Sequence, residues 1–154
     1  MKQSHASAGT RLVCAGLLVA LGPFVGGCGG KGHRPVVPVR GEVFVKAKGK
    51  REPAKGARIL FHIQNDDGEP LPLVPGGTVQ DDGSFQVSTY AANDGLPVGE
   101  YKVTITWQKT KIYMGEARAA GPDLLRGKYM NPKQTPLHAR VTSEGLDPRT
   151  FELD

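Results

Sequence analysis

Aromatic residues, cysteines and metal-ligand spacings are scarce in this chain. Only 6% of its 154 residues are aromatic, and its two cysteines are Cys14 and Cys28. No Cys-x-x-Cys or His-x-x-His spacing occurs, which argues against a zinc site. No Gly-x-Ser-x-Gly occurs either, which argues against the serine nucleophile of an α/β-hydrolase. We therefore expect no metal, no cofactor and no catalysis.

Helical periodicity is also lacking. After residue 30 no segment keeps apolar residues at helical spacing over three turns, whereas 21 glycines and 12 prolines punctuate short, β-branched runs. This composition is typical of a domain built from strands and turns. The sequence predicts an all-β fold, a β-sandwich of about seven short strands.

The apolar run at residues 12–21 is too short to cross a membrane as a helix, which needs about 20 residues. Lys2 and Arg11 precede it, small residues follow it, and no acidic residue occurs before Glu42. A basic stretch, a short apolar stretch and small residues together make a secretory signal peptide. We predict that this signal occupies residues 1–27.

The stretch Val25-Gly26-Gly27-Cys28 resembles the lipobox of bacterial lipoproteins. The resemblance implies cleavage before Cys28 and acylation of its thiol, and two or three acyl chains anchor a protein stably. The alternative is an ordinary signal peptide with a chance cysteine, which would leave a free thiol unexplained. Cys14 would leave with the signal, so we predict no structural disulfide. Gly29 follows instead of an aspartate, which favours the outer membrane, facing periplasm or surface.

The positive charge of the chain is partly that of the signal. Without Lys2 and Arg11 the formal net charge falls from +5 to +3. Six of the other 18 basic residues form a cluster, at Lys46, Lys48, Lys50, Arg51, Lys55 and Arg58. Such a cluster is either a patch for nucleic acid or heparin or a solvated hairpin. No aromatic residue lies among the charges, so we predict no nucleic-acid partner and keep anionic lipid or polysaccharide as candidates.

The mature chain divides into a tether and a domain. Residues 28–37 hold the lipidated cysteine and a glycine-rich flexible tether, and residues 38–154 form the domain. Alternation predicts strands at residues 39–45, 57–63, 84–90, 101–107, 137–142 and 150–153. Asp82-Gly83, between the extended residues 77–80 and the strand at residues 84–90, predicts a hairpin turn.

Four motifs in order carry a family resemblance. They are Val39-Arg40-Gly41-Glu42-Val43, Gly56-Ala57-Arg58-Ile59-Leu60-Phe61, Asp82-Gly83-Ser84-Phe85 and residues 97–105 from Pro97 to Ile105. The set resembles the carboxypeptidase-regulatory-like domain, a transthyretin-like β-sandwich, and the tail from Lys128 resembles a bacterial lipoprotein subgroup of it. The resemblance covers residues 38–154 and implies an accessory or adhesion-like module.

The residues of these motifs have physical roles in folding. Gly41 allows close approach of a neighbouring backbone, and Gly83 supplies a positive φ. Tyr101, just after a turn, is expected to bury its ring and bond its hydroxyl back to the loop, as in a tyrosine corner. These roles describe a scaffold and not a site.

Two enzymatic or metal alternatives are weaker. Transthyretin-like hydrolases of 5-hydroxyisourate need paired histidines, an arginine and a terminal Tyr-Arg-Gly-Ser, whereas this chain ends Phe-Glu-Leu-Asp. The hydrolase therefore stays a remote alternative. The acidic runs at residues 66–69 and 81–83 do not match the calcium-loop spacing of an EF-hand, and we expect turns there.

The segment 108–134 lacks a β pattern, and we predict an irregular loop with one helical turn near residues 123–126. A connection needs only a few residues, so Lys109, Lys111 and Tyr113 are predicted as possible ligand contacts. The alternative is structural cover of a sheet edge by Ile112, Leu124, Leu125 and Tyr129.

The sequence therefore predicts a non-enzymatic, lipid-anchored module of the cell envelope. Its partners are a membrane, through Cys28, and an envelope protein or polysaccharide. A carbohydrate-binding module is the alternative. Such a site needs exposed rings, and the candidates are Trp107, Tyr113 and Tyr129.

Overall fold

The computed structural model describes residues 33–47, 49–64 and 73–154. The predicted signal peptide, Cys28 and the first part of the tether lie outside the described residues. So do Lys48 and the acidic run at residues 66–69. No described residue belongs to a helix that is long and apolar enough to cross a membrane.

The fold is an all-β sandwich, as the sequence predicted. The described strands are β1 (Val36–Val37), β2 (Arg40–Ala47), β3 (Lys50–Pro53), β4 (Arg58–Gln64), β5 (Gly76–Thr78), β6 (Ser84–Gln86), β7 (Leu96–Pro97), β8 (Gly99–Thr106), β9 (Lys109–Tyr113), β10 (Glu116–Ala120), β11 (His138–Thr142), β12 (Gly145–Asp147) and β13 (Thr150–Leu153). There are more strands than the seven or so predicted because several pairings are only two or three residues long. One of them, β1, lies within the stretch predicted as tether.

Two sheets form the sandwich. One has the order β12-β11-β8-β4-β5, with every neighbouring pair antiparallel. The other has β2 at its centre, with β3 and β6 antiparallel to it and β13 parallel to it. Two small two-stranded pairs, β1 with β7 and β9 with β10, lie outside these sheets.

The alternating residues of the long strands fill the core between the sheets. Tyr101, Val103 and Ile105 of β8 are buried, as are Ile59 and Phe61 of the neighbouring β4. The ring of Phe61 lies 6.1 Å from those of Phe85 and Tyr101 and 6.5 Å from that of Phe151, measured between centroids. The period-two pattern therefore predicted the inward faces correctly.

Gly41 of β2 lies where no side chain fits. A Cβ there would come within 2.5 Å of the Arg149 carbonyl oxygen and 2.6 Å of the Phe85 ring. The close approach brings the β2 backbone to that same oxygen, which accepts a hydrogen bond from the Glu42 N–H at 2.8 Å. The predicted role of Gly41 is confirmed.

The turn at Gly83 has the predicted positive φ, 92°. The Asp82 carboxylate accepts the Ser84 N–H at 2.9 Å, and hydrogen bonding from Ser84 lowers the Asp82 pKa. The two arms bond to each other as in a hairpin, from the Gln80 N–H to Ser84 O at 2.7 Å and between Gly76 and Ser88. Their strands also pair in different sheets, β5 with β4 and β6 with β2. The turn therefore carries the chain from one sheet to the other.

The tyrosine corner is present as predicted. The ring of Tyr101 is buried, and its hydroxyl donates a hydrogen bond of 2.7 Å to the carbonyl oxygen of Pro97. This bond fixes the loop that leads into β8.

The prediction of an irregular loop at residues 108–134 is wrong for its first half. Residues 109–120 form the β9–β10 hairpin, whose turn is made by Met114 and Gly115 with φ of 50° and 82°. The second half is a series of turns instead of the expected helical turn. Within it the Arg126 N–H donates to Asp123 O at 3.0 Å and the Lys128 N–H to Leu125 O at 3.1 Å.

Strand β8 gives the domain two distinct ends. We call the end where β8 starts the proximal end. The chain begins its described course there, because β1 pairs with β7 just before β8. We call the other end, reached after eight residues or about 25 Å of strand, the distal end. The β9–β10 hairpin follows β8 directly and so emerges at the distal end.

Candidate binding surface at the distal end

The β9–β10 hairpin is the most exposed element of the described structure. All five residues of β9 are exposed. The tip carries large apolar groups, with Ile112 72%, Tyr113 62% and Met114 90% exposed. Exposed apolar groups gathered at one point indicate a contact surface more than a folding role.

The pairing register sorts the hairpin into two faces. Tyr113 lies opposite Glu116 and Lys111 lies opposite Arg118. Directly paired residues share a face, as do residues two apart on one strand. Lys109, Lys111 and Tyr113, predicted from the sequence as ligand contacts, therefore lie in a row on one face.

This face carries a net positive charge, because only one of its three cations is paired. Arg118 pairs with Glu116 at 2.8 Å and lies 5.9 Å from the centre of the Tyr113 ring. Within the described part of the chain, Lys109 and Lys111 have no carboxylate partner. Two uncompensated cations beside a tyrosine suit a partner that carries negative charge.

Only the base of the hairpin touches the sandwich closely. There the Gln108 side-chain amide donates to the Gly121 carbonyl oxygen at 2.8 Å. Thr110 lies beside the β3–β4 turn. A Cβ added to Gly56 in that turn would be 3.8 Å from the Thr110 Oγ1. Beyond this point the exposure of β9 shows that the strand gains little from packing.

The following residues, 121–137, form a covering segment along the second half of β8, on the side where β11 pairs only with residues 99–102. The Leu124 N–H donates to Trp107 O at 2.7 Å, and the Ile105 N–H donates to Tyr129 O at 3.0 Å. Leu125 and Tyr129 are buried, whereas Leu124 is 42% exposed. Residues 108–134 are therefore an exposed arm followed by structural cover. The predicted cover is confirmed for Leu125 and Tyr129 and is wrong for Ile112, which is exposed on the hairpin.

Asp123 holds the covering segment in place. One oxygen of its carboxylate accepts the Trp107 N–H at 2.7 Å, and the other accepts the Gly127 N–H at 2.7 Å. Together with the bond from the Leu124 N–H, this fixes the backbone on both sides of Trp107.

A cleft of about 490 Å³ opens beside Trp107, and we call it the distal cleft. Its lining residues are Val45, Ala47, Glu52, Trp107, Leu124, Leu125, Arg126, Lys128 and Asp154. Trp107 is half-buried and packs against the core, and its indole N–H donates to Lys55 O at 2.8 Å. The sequence predicted Trp107 to lie in phase with the core, and the structure also places it in the wall of a cleft.

The rim of the distal cleft is polar. Asp154 Oδ1 accepts hydrogen bonds from Lys128 Nζ and from the Tyr129 hydroxyl, each at 2.6 Å. The hydrogen bond to Asp154 raises the Lys128 pKa, and the bond from Lys128 lowers that of Asp154. Tyr129, a predicted sugar platform, is buried and serves to hold this carboxylate.

Three of the five described residues of the basic cluster at residues 46–58 form ion pairs. Lys46 lies 2.6 Å and Arg51 3.4 Å from carboxylate oxygens of Glu152, and Lys55 lies 2.7 Å from Asp81. Lys46 also lowers the Glu152 pKa through its hydrogen bond. These pairs make the cluster a weaker candidate surface than the hairpin.

The two strand histidines have separate partners. His62 Nε2 lies 2.9 Å from Thr104 Oγ1, and burial lowers its pKa. His138 Nε2 lies 2.8 Å from Lys102 Nζ. Within the described ranges no three His, Cys, Asp or Glu side chains are grouped to hold a metal.

Comparison with known proteins adds little to the geometry. No family model matches the chain, and no curated protein matches it. Among solved structures, the chain is similar to a Pseudomonas aeruginosa protein described as a "putative carbohydrate binding protein". The TM-score is 0.39 at 12% identity, with 78% of this chain and 90% of that chain covered. So distant a likeness carries no argument about function.

Proposed function

We propose that this protein is an exported lipoprotein of the bacterial cell envelope, anchored through Cys28, whose β-sandwich serves as a non-enzymatic binding module. The lipobox-like stretch and the signal-peptide pattern before it support the anchor. The ordered motifs that resemble the carboxypeptidase-regulatory-like domain support a scaffold function, because Gly41, Gly83 and Tyr101 all act in folding.

The observation that supports the proposal most is that the start of the described chain and the exposed hairpin lie at opposite ends of the domain. The described chain starts at the proximal end, where β1 pairs with β7, and the exposed hairpin leaves β8 at the distal end. Four residues lie between Cys28 and His33, so the two are at most about 18 Å apart. An anchor at Cys28 would hold the proximal end near the bilayer and direct the hairpin away from it.

The hairpin is proposed as the binding element, and an acidic envelope protein or polysaccharide as its partner. Lys109 and Lys111 would steer a negatively charged partner to the hairpin. Tyr113 and the neighbouring apolar tip would supply contact area, the usual contribution of a tyrosine at an interface.

The anchor is tested by substitution of the acylated residue. Cys28→Ala should abolish fatty-acid labelling and move the protein from the membrane fraction to the soluble fraction or to an uncleaved precursor. Cys14→Ala is the matched control and should leave labelling unchanged. Unchanged labelling in Cys28→Ala would refute the anchor.

The binding element is tested by pull-down from envelope extracts with full-length protein. The triple variant Lys109→Ala, Lys111→Ala, Tyr113→Ala should keep the wild-type melting temperature and lose captured partner. A control with equal charge loss at other exposed sites, Lys50→Ala with Arg58→Ala, should capture the partner as the wild type does. Equal capture by all three proteins would show that the hairpin is not the binding element.

A second candidate function is carbohydrate binding. The observation that favours it is the distal cleft, where the half-buried indole of Trp107 lies beside apolar side chains and a polar rim. Sugar sites combine these features, because a sugar ring has an apolar face and a polar edge.

A further inference from the structure

The distal cleft has the composition of a small-ligand site. Its volume of about 490 Å³ lies within the roughly 300–1,000 Å³ of ligand pockets. Apolar side chains come from three separate parts of the chain, with Val45 on β2, Trp107 after β8 and Leu125 in the covering segment. A ligand with an apolar face can lie against them.

The rim offers both hydrogen-bond donors and acceptors in balanced number. The lining contains two carboxylates, Glu52 and Asp154, and two cations, Arg126 and Lys128. Lys128 and Asp154 pair with each other, whereas Glu52 and Arg126 have no ion pair within the residues that the structure describes. The four side-chain charges cancel, so the cleft offers no net positive charge to an acidic ligand. It favours a neutral ligand rich in hydroxyls, whereas the hairpin suits an acidic one better.

The ring of Trp107 is held in place before any ligand arrives. Both of its backbone polar groups are hydrogen-bonded. Its N–H donates to Asp123, and its carbonyl oxygen accepts from the Leu124 N–H. Its indole N–H is bonded to Lys55 O at 2.8 Å. A ring fixed in this way loses little conformational freedom on binding, which favours affinity.

We propose that the distal cleft binds a neutral pyranose sugar unit, an inference that rests on the second candidate function and assigns its ligand class. The C–H face of the sugar lies against Trp107 and Leu125. Glu52 and Asp154 accept hydrogen bonds from the sugar hydroxyls, and Arg126 donates one. Among the described residues that line the cleft, none belongs to the hairpin.

Trp107 is the only tryptophan in the chain, so its fluorescence reports on the cleft alone. Full-length protein in detergent is titrated with glucose and N-acetylglucosamine and their short oligomers, and separately with oligomers of a uronic acid. We expect a saturable change in emission with at least one neutral sugar, at millimolar concentration or below, and a weaker response to the acidic oligomers. No change with any neutral sugar, or tighter binding of the acidic oligomers, would overturn the proposal.

Variants locate the binding by calorimetry with the responding sugar. Glu52→Gln, at an exposed position, should weaken binding about tenfold, the loss of one hydrogen bond to a charged group. Trp107→Leu keeps an apolar group and should abolish binding. Glu144→Gln, the same change at the proximal end, is the control and should bind as the wild type does. Wild-type affinity in both cleft variants would place the sugar elsewhere. The results of the fatty-acid labelling and of the pull-down with hairpin variants do not depend on whether the cleft binds a sugar.

Discussion

At the scale of single residues, Tyr101 shows how one hydroxyl stabilises a loop. Its ring is 1% exposed and its hydroxyl bonds to Pro97 O at 2.7 Å. Pro97 is itself buried, so its carbonyl oxygen has little access to water. Removing the hydroxyl would leave a buried acceptor without its donor, which costs more than the bond itself contributes.

Tyr101→Phe should therefore lower the free energy of unfolding by about 1–3 kcal/mol, which corresponds to a fall of several degrees in melting temperature. The measurement is thermal or urea unfolding followed by circular dichroism. Tyr90→Phe is the control, because the Tyr90 hydroxyl accepts a longer bond, 3.2 Å from the Arg34 N–H, at a partly buried site, and its loss should cost less. A wild-type melting temperature in Tyr101→Phe would show that the corner contributes nothing to stability.

Residues with a local physical reason could be predicted from the sequence. Gly83 follows an aspartate in a tight turn, and Tyr101 alternates with valine and isoleucine after Pro97 and Gly99. The role of Trp107 was harder to predict, because the alternation of the strand shows only that its side chain is in phase with the core. Its place in the wall of the distal cleft depends on Leu125 and Val45, which are distant in sequence.

At the scale of elements, the two halves of residues 108–134 contribute differently to stability. The hairpin is exposed along β9, and a two-stranded hairpin alone is marginally stable. The covering segment instead satisfies backbone groups at the edge of β8, at Val103, Ile105 and Trp107. Folding stability should therefore depend on the second half and not on the first.

Asp123→Ala should lower the free energy of unfolding by about 1–3 kcal/mol, because it removes the acceptor for the N–H groups of Trp107 and Gly127. Replacing the whole hairpin, residues 109–120, with a short glycine-serine linker should change the free energy of unfolding by less. Differential scanning calorimetry of both variants checks the contrast. A larger loss from the hairpin replacement would mean that the arm supports the sandwich.

The hairpin could not be predicted from the pattern used for the other strands. That pattern looks for one apolar face, and β9 buries neither face. The available signal was turn chemistry, since Gly115 supplies a positive φ at the end of a β-branched run. Met114 at the neighbouring left-handed position is an unusual residue there, which weakened the signal.

At the scale of the whole molecule, the proximal end has its own charged cleft. It has a volume of about 240 Å³ and is lined by Pro38, Arg40, Glu144, Gly145, Leu146 and Arg149. Neither arginine has an ion pair within the described part of the chain. If Cys28 anchors the protein, these arginines face the lipid headgroups, whereas Lys109 and Lys111 face away.

A charge-matched pair of variants tests this orientation. Residues 32–154 form one compact unit with its own core, and we expect this unit to bind vesicles rich in anionic lipid weakly. Arg40→Gln with Arg149→Gln should reduce the binding about tenfold or more, since a basic residue at the surface contributes about 1 kcal/mol. Lys109→Gln with Lys111→Gln removes the same charge and should reduce vesicle binding less. The opposite order in vesicle sedimentation would reverse the proposed orientation.

The distal cleft is a property of the assembled fold and was not predictable from the sequence. Val45, Trp107, Leu125 and Asp154 come together only because β2, β8 and the covering segment meet at one end. No local pattern gives the order of strands in two sheets, whereas alternation gives their inward faces.

The parallel pairing of β13 with β2 has a consequence for the time at which the protein can fold during its synthesis. Thr150 lies beside Glu42, a separation of 108 residues, and Phe151 and Leu153 are both buried. A ribosome must therefore add Leu153 before the first long strand can gain this neighbour and the interior can close. Contacts so distant along the chain form slowly. If the protein is exported as proposed, such late closure would give the chain more time to cross the membrane while it is still unfolded.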